Sequence, residues 1–167
     1  MLLDWINTIW EYNYWGHHKI LDCIETVSED NFKRHLDYSI GSLHAQIVHT
    51  MWAEEIWLSR IQGRLRPDWT TGTLPTLSAI REQWAELEAN WRAYLATLTE
   101  ESLAGTFTYT RGNNQQMTSV LHEILRHVVN HGTDHRSQML RLIHDYGGET
   151  FEQDMLFYYM ERDKAKL

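Results

Sequence analysis

The sequence predicts an all-α fold, a four-helix bundle with a short additional C-terminal helix. Three observations lead there. Four long stretches carry apolar residues at spacings of three and four, the period of a helix with one buried side. Proline, which breaks helices, occurs only at Pro67 and Pro75, both in one segment. Four helices of roughly 20 to 28 residues make an up-and-down or crossover bundle the natural architecture.

The first predicted helix spans 2–27, with Trp5, Ile9, Tyr12, Gly16, Ile20, Cys23 and Val27 forming its seam. The second, 41–62, is apolar over much of its circumference, as expected of a central helix with several partners. The third, 76–98, repeats the seam pattern with Ile80, Trp84, Leu87, Trp91, Leu95 and Leu98. The fourth, 118–146, is expected to start at a Thr118 cap and to stop at Gly147-Gly148. A fifth, short helix begins near Asp154 in DMLFYYMER. SEDNFKRHLDYSI, GRLRPDWTTGTLP and TEESLAGTFTYTRGNNQQ read as connections, with TFTYT and RGNN suited to a short hairpin. The motif L-H-x-x-[IL]-x-H appears twice, as LHAQIVH (43–49) and LHEILRH (121–127), each after a [ST]-E-[DE] helix exit and a polar loop. The second and fourth helices therefore look like counterparts.

Composition excludes several functions. The 167 residues suit one domain. A net charge of −8 without a Lys/Arg run argues against nucleic acid, whose phosphates need clustered cations. No stretch approaches the roughly 20 apolar residues of a membrane span. Asp4 and the lack of a cationic start and cleavage site argue against a secretory leader. Cys23 is the single cysteine, expected as a small core residue, so no intramolecular disulfide forms and a cytoplasmic setting is expected.

Ten histidines carry the chemistry. HVVNHGTDHRSQ (127–138) places His127, His131 and His135 four residues apart. With Val128 at zero and about 100° per residue, the apolar stripe lies within about ±60°. His135 falls at about −20° and His131 at about −60°, whereas His127 (about −100°), His122 (about +120°) and His144 (about 160°) fall outside it. Buried imidazoles need partners for their ring nitrogens. Two readings meet that need: a shared metal ion, or hydrogen bonds from two core histidines to carboxylates or carbonyls. His49, among Val48, Met51 and Trp52 of the second helix, is the candidate third ligand.

The chain resembles the DinB/YfiT-like family of proposed metalloenzymes. The resemblance is carried by YNYWGHHKIL, SIGSLHAQIVHTMWAEEIWL and HVVNHGTDHRSQ, with LSAIREQWAELEANWRAYLATL and DMLFYYMER also fitting, so it spans nearly the whole chain. It implies a four-helix bundle holding one divalent metal on three histidines, which fall on His49, His131 and His135. Two departures are His135-Arg136-Ser137-Gln138, where the family commonly reads H-R-G-Q, and Asp134, where Tyr or His is common. Asp134 lies near −120° on the wheel, pointing away from the site. His127 is expected outside the site; as the counterpart of His49 in the repeated motif it is the alternative candidate ligand.

Three neutral imidazoles leave a divalent ion with its charge and an open position, the pattern of catalytic sites. Zinc so held lowers the pKa of bound water to about 7, and can equally bind and deprotonate a thiol. Zinc and nickel both suit the ligands. Occupancy is expected to fall below pH ~6, where imidazole takes a proton. Glu54 and Glu55 are weak candidates for a general base, with a solvated helix face as the alternative. Tyr14, Trp15 and Trp52 are candidates for a pocket mouth. The resemblance implies a metal-dependent thiol S-transferase or hydrolase acting on a small molecule, for some relatives a low-molecular-weight thiol as in bacillithiol transferases and mycothiol-dependent isomerases, and often a homodimer. A non-catalytic metal-binding or stress-associated protein is the alternative.

Overall fold

In a computed structural model, which describes residues 1–65, 67–111 and 114–165, the elements follow in the order α1 (Leu2–Glu25), α2 (Glu29–Lys33), α3 (Leu43–Gln62), α4 (Leu77–Leu95), α5 (Glu100–Ala104), β1 (Thr106–Thr110), β2 (Gln116–Val120), α6 (Leu121–Asp145) and α7 (Met155–Lys164). The fold is all-α but for one antiparallel hairpin. α1 and α3 each pack against both α4 and α6, so the four long helices form a ring with α1 and α3 across its diagonal.

The helix ends follow from their residues. Ser42 Oγ accepts from the Ala45 amide at 3.0 Å and Thr76 Oγ1 from the Ala79 amide at 3.2 Å, satisfying orphan donors at the starts of α3 and α4. Gly63 (φ +64°) and Gly147 (φ +75°) take the left-handed conformation that stops α3 and closes the exit from α6. Trp10 of α1 stacks on Trp91 of α4 with ring centroids 4.2 Å apart, and the predicted seam of α4 is buried from Ile80 to Leu98. Cys23 is buried, as expected.

Three expectations need correction. The connection after α1 contains a one-turn helix, α2, capped by Ser28 Oγ on the Asn31 amide at 3.3 Å. The connection after α4 contains another, α5, where Thr99 and Ser102 cap each other reciprocally. The [ST]-E-[DE] segments are thus the starts of short helices, and a one-turn helix follows the first and third long helices alike, with the hairpin intervening before α6 in the second case. Third, Thr118 does not cap the fourth long helix. It lies in β2, its hydroxyl 3.0 Å from that of Thr108, and α6 starts three residues later. The strand wins because TFTYT and QMTSV are rich in β-branched and aromatic residues and pair in register from Thr106↔Val120 to Thr110↔Gln116. Of the predicted turn RGNN, Gly112 and Asn113 lie outside the described residues.

Period-2 alternation turns Phe107 and Tyr109 inward, and Tyr109 meets Trp57 of α3 at 5.0 Å between centroids. α3 is buried around its circumference, but half of its buried side chains are polar: His44, Gln46, Thr50, Glu54, Glu55 and Ser59. These polar positions organise the site.

Candidate metal centre

α3 supplies His49 and α6 supplies His131 and His135. One ring nitrogen from each lies within 4.8 Å of the others. The imidazole centroids are 4.4 Å apart for 131–135, 4.8 Å for 49–135 and 5.3 Å for 49–131. The four-residue spacing on α6 puts two rings one turn apart, and the antiparallel α3 brings the third opposite them. His135 is buried and the other two are half-buried.

Electrostatics leave the three rings neutral. Burial holds all three below the ordinary imidazole range. His131 is lowered furthest, to about 4, by burial first and then by the neighbouring His135, His49 and His127. Lone pairs are therefore available at neutral pH, which is the state that metal ligation requires. No fourth His, Cys, Asp or Glu joins the group among the described residues. Around an ion with bonds of about 2.0–2.1 Å, three nitrogens lie roughly 3.3 Å apart, about 1.5 Å or less from the present spacing. The residues fit a divalent ion of imidazole preference.

A relay that sequence reasoning missed fixes one of the rings. His135 Nδ1 donates to Gln46 Oε1 at 2.7 Å, Gln46 Nε2 donates to Gln138 Oε1 at 3.1 Å, and Gln138 Nε2 donates to Asp134 Oδ2 at 3.1 Å. A carboxylate only accepts, so Asp134 sets the direction of both amides and hence the proton on His135 Nδ1. Nε2 is left with its lone pair, the arrangement in which outer hydrogen bonds orient a ligand. Asp134 points away from the site, as its wheel angle predicts, yet reaches His135 through two glutamines. Gln46 lies three residues before His49, on the adjoining side of the same helix. Its type and spacing were the available signal.

The remaining predicted residues lie apart. His127 is exposed, with its ring 6.2 Å from that of His131, and is not in the triad. Trp52 is 6.2 Å from His49. Tyr14 is instead buried against Trp10, and Trp15 packs on Phe151 and Tyr158, so neither forms a mouth to the site. Glu54 and Glu55 are not on a solvated face: they are 1% and 3% exposed. Ser59 Oγ donates to Glu55 at 2.6 Å, and Arg64 pairs with the same carboxylate.

Glu54 belongs to a polar cluster in the bundle centre. Asn13 Nδ2 donates to Glu54 at 2.8 Å, and Arg136 Nη1 donates to Asn13 Oδ1 at 2.9 Å. Arg136, fully buried, also donates to Thr133 Oγ1 at 2.9 Å and lies over the Tyr12 ring. His17 Nε2 is 3.2 Å from Glu54, within ion-pair range but off the direction of a hydrogen bond. Burial pushes the Glu54 carboxyl up to about 8, against the pull of Asn13 and Arg136, and holds His17 well below its usual range. Two glycines make room. A Cβ on Gly16 would sit 2.7 Å from Arg136 Nε, and one on Gly132 would sit 2.9 Å from Asn13 Oδ1. Facing mid-helix glycines were the sequence signal for this close approach. The cluster ties α1, α3 and α6 together directly behind His135 and so sets the register in which His49 meets its partners.

The chain is similar to "Protein DinB" of Bacillus subtilis (strain 168), with 21% identity over 169 residues covering 93% of this chain and 94% of that protein. The model of the DinB family matches from residue 3 to residue 165, leaving almost nothing outside it, and the protein belongs to the DinB family.

Proposed function

We propose that the protein holds one divalent ion, zinc or nickel, on His49, His131 and His135, and works as a metal-dependent enzyme on a small molecule, of the low-molecular-weight-thiol S-transferase or hydrolase type. The observation that carries this reading is a triad of neutral imidazoles, two of them half-buried, with no fourth protein ligand among the described residues. An ion held this way supplies Lewis acidity and a position for an exogenous ligand. The protein's own groups do the rest. Gln46 holds the His135 proton on Nδ1, burial disfavours a second proton on each of the three rings, and Trp52 stands beside His49.

Glu54 and Glu55 are not the base in this reading, because their carboxylates are committed to Asn13 and to Ser59 and Arg64. The assembly is a homodimer in the same reading, with exposed Trp5, Leu156 and Met160 offering apolar surface on α1 and α7. Elemental analysis of protein purified without affinity metal, followed by a thiol-transfer screen with and without chelator, tests the function. Near one equivalent of metal and chelator-sensitive transfer support it; metal-free protein with unaltered His→Ala variants refutes it.

A further inference from the structure

α3 and α6 meet in one register along the triad. Gln46 meets Gln138, His49 meets His135 and Trp57 meets His127. Three and then eight positions forward on α3 match three and then eight back on α6, so the same register sets Ala53 opposite His131. One end of this row is shut by the hydrogen bond from Gln46 to Gln138, at 3.1 Å. The other is shut by Trp57, whose ring meets His127 edge-on at 5.6 Å and Tyr109 of β1 at 5.0 Å, with Arg60 over it at 4.8 Å. Three neighbours fix that ring as a wall. Between the two ends, the position facing His131 holds a single methyl group. Ala53 comes one turn after His49 and one turn before Trp57, within about 40° of each around the helix. All three are half-buried, as is His131 across from them. A short side chain between two long ones leaves a step beside the triad, floored by the Ala53 methyl and walled by rings.

We propose that Ala53 is the specificity-determining position of this site: the step over its methyl receives the apolar substituent of the small molecule whose donor atom takes the open position on the triad. The step is bordered by rings and one methyl, so it gains by covering carbon and offers little to replace the water around a charged group. From Ala53 to Trp57 the helix rises about 6 Å, enough for a chain of about four carbons. His131 is the histidine beside which the substituent passes, because the position opposite it is the short one. For a thiol, the class selected carries a short hydrocarbon group next to sulfur rather than a charged one. Leucine at position 53 would occupy the same space and exclude that group. The inference rests on the metal reading for the donor atom only; the step itself belongs to α3 and α6.

The test uses 1-alkanethiols from ethanethiol to butanethiol. Binding to cobalt-substituted protein is followed by the thiolate-to-cobalt absorption band. Affinity is expected to rise about two- to fourfold per added methylene. Ala53→Leu flattens the series, whereas Ala53→Gly, which leaves the step open, keeps the rise. Ala53→Val fills less of the step, lowers the rise by less, and decides the matter if the leucine variant loses cobalt. A flat series in the wild type, or a rise that both Ala53→Leu and Ala53→Val leave intact, overturns the inference. If cobalt does not bind, or binds His131→Ala as well as wild type, the metal reading fails, and metal-free protein decides the step. There butanethiol is expected to give an intermolecular NOE to the Ala53 methyl, a resonance identified by its loss in Ala53→Gly. Absence of that NOE overturns the step as well.

Discussion

Replacing Gln46 with leucine removes the acceptor of the His135 Nδ1–H. His135 is 8% exposed and its Nδ1–H donates to Gln46 Oε1 at 2.7 Å. In Gln46→Leu that N–H is buried without a partner, which costs about 1–3 kcal/mol. The cost falls on the tautomer that presents Nε2, so metal binding carries it. At about 1.4 kcal/mol per tenfold, affinity is expected to drop roughly 5–140-fold, overlapping the effect of removing outer partners of metal-bound histidines. Gln138 loses its donor as well, but it is half-buried and regains water at small cost.

The assay is competition for zinc against a chromophoric chelator at pH 7.5, with a thermal melt as control. Gln46→Glu keeps an acceptor at the same place; the Gln138 amide then turns to donate to it and gives up its bond to Asp134, which is exposed and is taken over by water, so affinity should stay within about threefold of wild type. A well-folded Gln46→Leu protein that binds zinc within about twofold of wild type would refute the reasoning.

Other outcomes follow from the same geometry. His49→Ala, His131→Ala and His135→Ala should each empty the site by elemental analysis, while His127→Ala and His122→Ala leave it near wild type; the reverse pattern for His127 and His135 would sink the assignment. Because burial keeps the triad pKa values low, with His131 at about 4, half-loss of metal on acidification should come below the pH ~6 expected from unperturbed imidazole. Equilibrium dialysis across pH 4–7 reads this. The metal-free protein should lose stability as pH falls below about 6.5, since His17, His49, His131 and His135 take protons in the unfolded chain first. Glu54 acts with the opposite sign. Its folded pKa of about 8 lies above the ordinary 4.5, so stability falls as pH rises between those values. Denaturant midpoints should thus peak near pH 6–7, and Glu54→Gln should make the decline from there to pH 8 shallower, leaving the part due to His18, whose bond to Glu88 raises its pKa, and leaving the acid limb; an unchanged decline would contradict the buried carboxyl. Gly132→Ala should destabilise by about 1–3 kcal/mol in urea despite alanine's better helix propensity, because its Cβ meets Asn13 and Arg136.

The four long helices and their inward sides were legible because helix periodicity is local: Ile80 to Leu98 reads as a seam in the sequence and is one in the fold. The wheel likewise separated His131 and His135 from His127, since direction around a single helix depends only on spacing. The hairpin was visible in TFTYT, but the boundary at Thr118 was not, because a threonine that can cap a helix can equally pair across a ladder, and Thr108 on the other strand decides between them. What stands opposite a side chain is beyond any wheel. Glu54 and Glu55 looked like a charged face and are buried, because Asn13 lies 41 positions from Glu54 and only packing of α1 against α3 brings them together. Arg136 is charged and yet lies fully buried in the centre, because Gly16 and Gly132 open the space for it. Gln46 reaches His135 across 89 residues. Periodicity encodes which way a residue points, whereas the partner that neutralises, orients or desolvates it belongs to another helix, and only tertiary structure selects that partner.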